Sequence, residues 1–134
     1  MDINAALAHF ESRLEWEIDA ADLFTNRDAY IVIDARTPET FATGHVPGAV
    51  NLPHRTITAE TARFPKEAVL VTYCDGIGCN ASTKAAVKLS RLGFRVKEMI
   101  GGMDWWRRDG LPVHGGAVVQ AAEPASVHAV VCGC

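Results

Sequence analysis

The 134-residue sequence has no stretch of about eighteen consecutive apolar residues, no block of basic residues, no internal repeat and no basic N-terminus leading into a continuous apolar core. The first absence removes a membrane-spanning helix, and the last removes a secretory signal. With 13 basic against 16 acidic side chains and a net charge of −3, there is no cationic stripe to follow a phosphate backbone. Neither a membrane nor a nucleic acid is therefore expected as a partner, and the cytoplasm is the expected location. Cysteine is scarce as well: only Cys74, Cys79, Cys132 and Cys134 occur. Without export, four thiols do not read as a disulfide framework; they are reactive, metal-binding or simply buried.

What is present fits one globular domain. Hydrophobic residues make up 49% and charged residues 22%, ordinary values for a chain with one core. Ile3, Leu7, Phe10 and Leu14 recur at helical spacing, which predicts an N-terminal helix over 1–15 whose apolar stripe packs on the domain. Residues 16–18 alternate like a short strand, and Asp19 can cap a brief helix. "AYIVIDA" (29–35) and "AVLVTY" (68–73) are short β-branched apolar runs of the kind buried parallel strands need. Thr37 and Pro38 open a short helix that ends near Gly44, a short strand follows at 49–52, and 55–67 is a connection with one short helix. After the second buried run comes an amphipathic helix with Ala81, Ala85, Leu89 and Leu92 on one side and Lys84, Lys88 and Arg91 on the other. Gly93 stops it, 94–100 reads as a strand, and 101–113 as a glycine turn and short helix closed by Gly110 and Pro112. Strands alternating with helices at these lengths predict an α/β domain with a central, mostly parallel sheet and helices on both faces. The body is expected over 16–113, and 114–134 as an irregular tail ending in Cys-Gly-Cys.

The segment "VTYCDGIGCNASTKAAVKL" (71–89) carries the chemistry. In open parallel sheets ligands bind beyond the carboxyl ends of the strands, and Cys74 stands at such an end, before a loop with Gly76 and Gly78 and then a helix. Inward-turned loop amides and the positive end of the helix dipole favour an anion there and draw a thiol towards its nucleophilic thiolate form. The opposing reading is a small buried hydrophobe at a strand end. Two glycines so close to the thiol favour the functional reading, because a plain connection does not require that backbone freedom.

These residues resemble the single-domain rhodaneses, the sulfurtransferase family, over roughly 16–113. "VIDARTPETFATGHVPGAVNLP" (32–53) is similar to the family's N-terminal signature, and residues 71–113 to its strand, active-site loop, helix, Gly-Gly-x-x-x-Trp helix and Leu-Pro ending. The resemblance implies that Cys74 takes sulfane sulfur from a small donor, thiosulfate or a persulfide, holds it as a persulfide and passes it to a thiol or protein acceptor. It implies neither metal nor organic cofactor, an anion-binding loop of Asp75, Gly76, Ile77, Gly78, Cys79 and Asn80, and a scaffolding role for Asp34, Arg36 and His45. Of Trp105 and Trp106, one is expected in the core and the other half-covering the pocket. The oligomeric state stays open.

The loop departs from the family pattern in two places. Cys79 stands where an arginine is common, and Asp75 puts a carboxylate beside the nucleophile, which would raise its pKa and repel a thiosulfate dianion. Cys79 could instead close a disulfide with Cys74, and the Cys132/Cys134 pair could relay sulfur or complete a four-thiolate zinc site. The alternative is therefore a redox-sensing or zinc-binding module. Phosphatases of similar scaffold need an arginine six positions after the cysteine; Asn80 stands there, so phosphate-ester chemistry is not expected.

Overall fold

The computed structural model describes residues 1–116. Its centre is a five-stranded, all-parallel sheet in the order β1-β5-β4-β2-β3. The strands are β1 (Glu17–Ile18), β2 (Tyr30–Asp34), β3 (Val50–Asn51), β4 (Val69–Tyr73) and β5 (Arg95–Met99). In the middle of the sheet Tyr30 pairs with Val69 and Asp34 with Tyr73, while Val69 pairs with Arg95 and Thr72 with Glu98. The two β-branched runs became β2 and β4, side by side and buried on both faces, which is why their apolar residues do not alternate with polar ones.

Successive side chains of these strands feed two cores, because a strand's side chains alternate between faces. Ile33 and Leu70 join Leu52, Ile57, Ala85, Leu89 and Phe94 beneath α4 (Ala81–Arg91). Val32 and Val71 join Leu23, Met99, Met103 and Trp106 beneath α2 (Ala20–Thr25) and α5 (Gly102–Arg108). The expected caps form: the Asp19 side chain accepts from Asp22 N–H, and Thr37 from Thr40 N–H at the start of α3 (Pro38–Ala42). Residues 54–56 are a single 3-10 turn. His45 and His114 exchange backbone hydrogen bonds of 2.8 and 3.0 Å, so the chain returns antiparallel beside the turn that follows α3.

The N-terminal helix, α1 (Ile3–Trp16), forms but buries none of its residues. The stripe expected to pack inward stays exposed, with Ile3 at 77% and Leu14 at 81% of full accessibility. The helix is tied down at its C-terminal end, where Lys97 Nζ donates to the carbonyls of Leu14 and Glu15. Periodicity identified a helix; it could not say whether a surface lay opposite.

Candidate active site

β4 lies between β5 and β2, so its carboxyl end opens at the middle of the sheet edge. Cys74 follows it directly. The side chain is 2% exposed and shares its core with Ala35, Ala81 and Ala85. It is a free thiol, and so is not joined to Cys79. Sγ donates to the Cys79 carbonyl at 3.3 Å and lies 3.5 Å from Ser82 Oγ.

The loop is held from two sides. The amides of Met103 and Asp104, at the start of α5, donate to the carbonyls of Cys74 and Asp75 at 2.8 and 2.7 Å. This approach needs glycine at 102: a Cβ there would sit 2.4 Å from the Cys74 carbonyl oxygen and 2.7 Å from the Gly76 nitrogen, at a φ of +58°. Gly76 and Gly78, by contrast, keep negative φ, and a Cβ at Gly78 would meet nothing within 4 Å. Glycine's permissiveness was thus expected within the loop and is used instead in the turn that clamps it. On the other side, the Cys79 amide closes a turn onto the Gly76 carbonyl at 3.0 Å, so this amide is spent within the loop. α4 then begins at Asn80 with no side-chain cap, which leaves its first-turn N–H groups and dipole at the loop. Ile77 at the loop tip is 88% exposed.

Beneath the loop lies a buried charge network. Arg36 grips Asp34 through Nε (3.0 Å) and Nη2 (2.7 Å), reaches Asp75 Oδ1 through Nη1 at 3.0 Å, and donates to the Gly44 carbonyl at 2.7 Å. Tyr73 donates its hydroxyl to Asp34 Oδ2 at 2.6 Å and accepts from Val46 N–H at 3.0 Å. Burial works against the Arg36 charge, but the hydrogen bonds and charge of Asp34 outweigh it and raise its pKa. Burial, reinforced by the charge of Asp34, likewise pushes the Tyr73 phenol up. Asp75, expected to face the substrate, has a side chain only 9% exposed and turned to Arg36. A carboxylate that cannot reach water is stable only beside a cation, so its charge is largely compensated where repulsion of the substrate was expected. His45 stacks on Phe41 at 3.7 Å and bonds the Phe41 carbonyl through Nδ1 at 3.0 Å, a scaffold position. Trp106 is fully buried; Trp105 is 45% exposed, its ring 6.0 Å from the Arg108 guanidinium.

Four side chains escaped the sequence reading, and of these Ser82 touches the thiol. Ser82 is buried in the first turn of α4 and donates to Glu98 Oε2 at 2.5 Å; Thr83 donates to the same oxygen at 2.6 Å. The one available signal was a hydroxyl on the helix stripe shared with Ala85 and Leu89. Glu98 comes from β5, and nothing in its local sequence marks it. His54 donates its backbone N–H to the carbonyl of Ala35, which follows β2 as Cys74 follows β4. Its ring is buried, Nδ1 has no hydrogen-bond partner among the described residues, and its pKa is lowered by burial and by Lys88, Arg55 and Lys84. Among the described residues no group of three or more His, Cys, Asp or Glu could hold a metal. Cys132 and Cys134 lie outside the described residues.

A thiol at the carboxyl end of a central parallel strand, in a loop buttressed by a buried Asp-Arg-Asp network, defines a class as well as a site. The rhodanese-like domain model matches residues 18–109, and the chain belongs to that family. A sulfurtransferase of Allochromatium vinosum is 34% identical over 101 residues, covering 72% of this chain and 92% of its own length. The HTH-type transcriptional regulator Rv0324 of Mycobacterium tuberculosis is 35% identical over 121 residues, or 88% of this chain; the chain spans only about half, 53%, of that relative. Among solved structures, the BH2092 protein of Bacillus halodurans superposes with a TM-score of 0.80 at 42% identity, covering 84% of this chain and 86% of the other.

Proposed function

We propose that the chain is a sulfurtransferase that carries sulfane sulfur on Cys74. The observation that supports this most directly is the free Cys74 thiol at the carboxyl end of β4, with the uncapped first turn of α4 beside it. In the first half-reaction Cys74 sulfur attacks the outer sulfur of thiosulfate or a persulfide; the donor's S–S bond breaks, and sulfite or a thiolate departs with the electron pair. A thiol, either small or on a protein, then takes the outer sulfur, and Cys74 is regenerated. The helix dipole and the loop amides offset the negative charge on the bound sulfur, as fixed donors do for an oxyanion. Pairing of Asp75 with Arg36 removes much of the objection to an anionic donor. The cycle needs no metal or organic cofactor and runs in the cytoplasm, where thiol acceptors stay reduced.

The test is intact-mass measurement after exposure to thiosulfate or a persulfide donor. The expected result is a gain of about 32 Da, one sulfur atom, reversed by dithiothreitol and absent in Cys74→Ser. An adduct that persists in Cys74→Ser and disappears on replacing Cys132 and Cys134 would move the site to the tail.

The relationship to Rv0324, a transcriptional regulator, favours one second reading: a sensor in which sulfur or oxidation on Cys74 is the signal and no acceptor turns it over. Stoichiometric loading with no release to added thiols supports the sensor; repeated turnover supports the enzyme.

A further inference from the structure

Resting on that sulfur-transfer reading, we propose that Ser82 and Glu98 form a proton relay serving Cys74. Ser82 touches the reacting sulfur; Glu98 acts through it as a positioning residue and as the terminal proton acceptor.

The argument begins with burial. Cys74 is 2% exposed, yet its S–H proton must leave before the sulfur can act as a nucleophile. Among the described residues Sγ has two hydrogen-bond partners, and its single proton can turn to either one. The Cys79 carbonyl, at 3.3 Å, accepts but cannot pass a proton on. Ser82 Oγ, at 3.5 Å, can accept one proton while giving up another. Ser82 is itself only 4% exposed, so its hydroxyl also lacks a direct path to water. Its proton points to Glu98 Oε2 at 2.5 Å, and Glu98 is only partly buried. The three groups thus connect an enclosed sulfur to the surface.

The surroundings hold this line in place. Thr72, which pairs with Glu98 across β4 and β5, donates Oγ1 to the Ser82 carbonyl at 3.0 Å, and Thr83 donates to Glu98 Oε2 at 2.6 Å. Two hydroxyl donors keep the carboxylate oriented and ready to accept. As the Cys74–sulfur bond forms, the thiol proton passes to Ser82 Oγ and the Ser82 proton to Glu98 Oε2, while the donor's S–S electron pair leaves with the departing group. When an acceptor thiolate takes the outer sulfur, Cys74 departs with the bond's electron pair and the proton returns along the same line. Electrons and protons balance within each half-reaction.

The experiment follows the rates of Cys74 alkylation by iodoacetamide and of sulfur uptake from pH 6 to 10 in wild type, Ser82→Ala, Ser82→Thr and Glu98→Gln, each checked for folding by circular dichroism. At pH 7, Ser82→Ala and Glu98→Gln are expected to be slower by about 100-fold, the low end of the usual range for general acid–base help. The gap should narrow as pH rises, because hydroxide in solution can then take the thiol proton without the relay, and Ser82→Thr, which keeps the hydroxyl, should retain most of the rate. A loss that is the same at every pH means a structural role and overturns the relay. Unchanged rates, or a faster Glu98→Gln at pH 7, overturn it too, the latter because the carboxylate would only be repelling the thiolate. Alkylation reads the relay whether or not sulfur moves. The pH signature without a gain of about 32 Da therefore defeats the sulfurtransferase reading alone, and sulfur uptake without the pH signature defeats the relay alone.

Discussion

At the scale of single residues, Arg36 is the position on which the site most depends. It is 2% exposed and stands between two carboxylates, Asp34 and Asp75, that are themselves almost completely buried. Such a triad need not stabilise the fold more than apolar residues of the same volume would, but removing its cation leaves two carboxylates in low dielectric. Arg36→Met is expected to lower the unfolding free energy by about 3–5 kcal/mol, read from urea denaturation at pH 7. Arg36→Lys should recover only part of this, since an ammonium cannot hold Asp34, Asp75 and the Gly44 carbonyl with one planar fork. Asp34 and Arg36 were legible as scaffold from the family signature. The place of Asp75 was not, because a carboxylate beside a cysteine in the sequence says nothing about which way a buried side chain must turn to find a cation 39 residues away.

At the scale of elements, the loop is a joint between α4 and α5. α4 supplies Ser82 and an uncapped first turn, and α5 supplies two amides that bind the loop's own carbonyls. Gly102 is the contact on which this joint closes. Gly102→Ala places a methyl group against the loop backbone at a left-handed φ, so the loop must move outward and both hydrogen bonds from α5 must stretch. The expected outcome is a folded protein with unchanged helix content by circular dichroism whose Cys74 alkylation and sulfur-uptake rates fall at least about tenfold, since displacements of about 1 Å in a reacting group cost rate steeply. Gly78→Ala, with open space at its Cβ, should leave both rates within about twofold, because small exposed changes away from such contacts are nearly neutral. The amphipathic pattern predicted α4 and Gly93 its end, where the structure has Gly93 at a φ of +90°. The difference between Gly78 and Gly102 could not be read locally, since it depends on backbone from a distant element.

At the scale of the whole molecule, the strand order puts β4 in the middle with β5 and β2 on either side, and Cys74 therefore opens where helices from both faces converge. α1 stands apart from this arrangement. Because none of its residues is buried, Leu7→Ala and Phe10→Ala should each shift the unfolding free energy by no more than about 0.5 kcal/mol. Leu89→Ala, in the core beneath α4, should cost about 2–5 kcal/mol. Parallel urea titrations give the comparison, and a large loss at Leu7 would mean that the stripe packs against something in solution.

The amino-acid sequence alone determined the parallel α/β architecture, the two central strands, the caps of α2 and α3 and the place of Cys74 at the end of a central strand. These depend on local periodicity, on capping chemistry and on a thiol at a strand end, all of which are properties of neighbouring residues. Only the tertiary structure decided that Asp75 serves Arg36, that the needed glycine is Gly102, that α1 keeps its apolar stripe exposed, and that Ser82 and Glu98 line up from the thiol. Each of those is a contact between segments far apart in the chain, and which distant groups meet is set by the packing of layers, on which local pattern is silent.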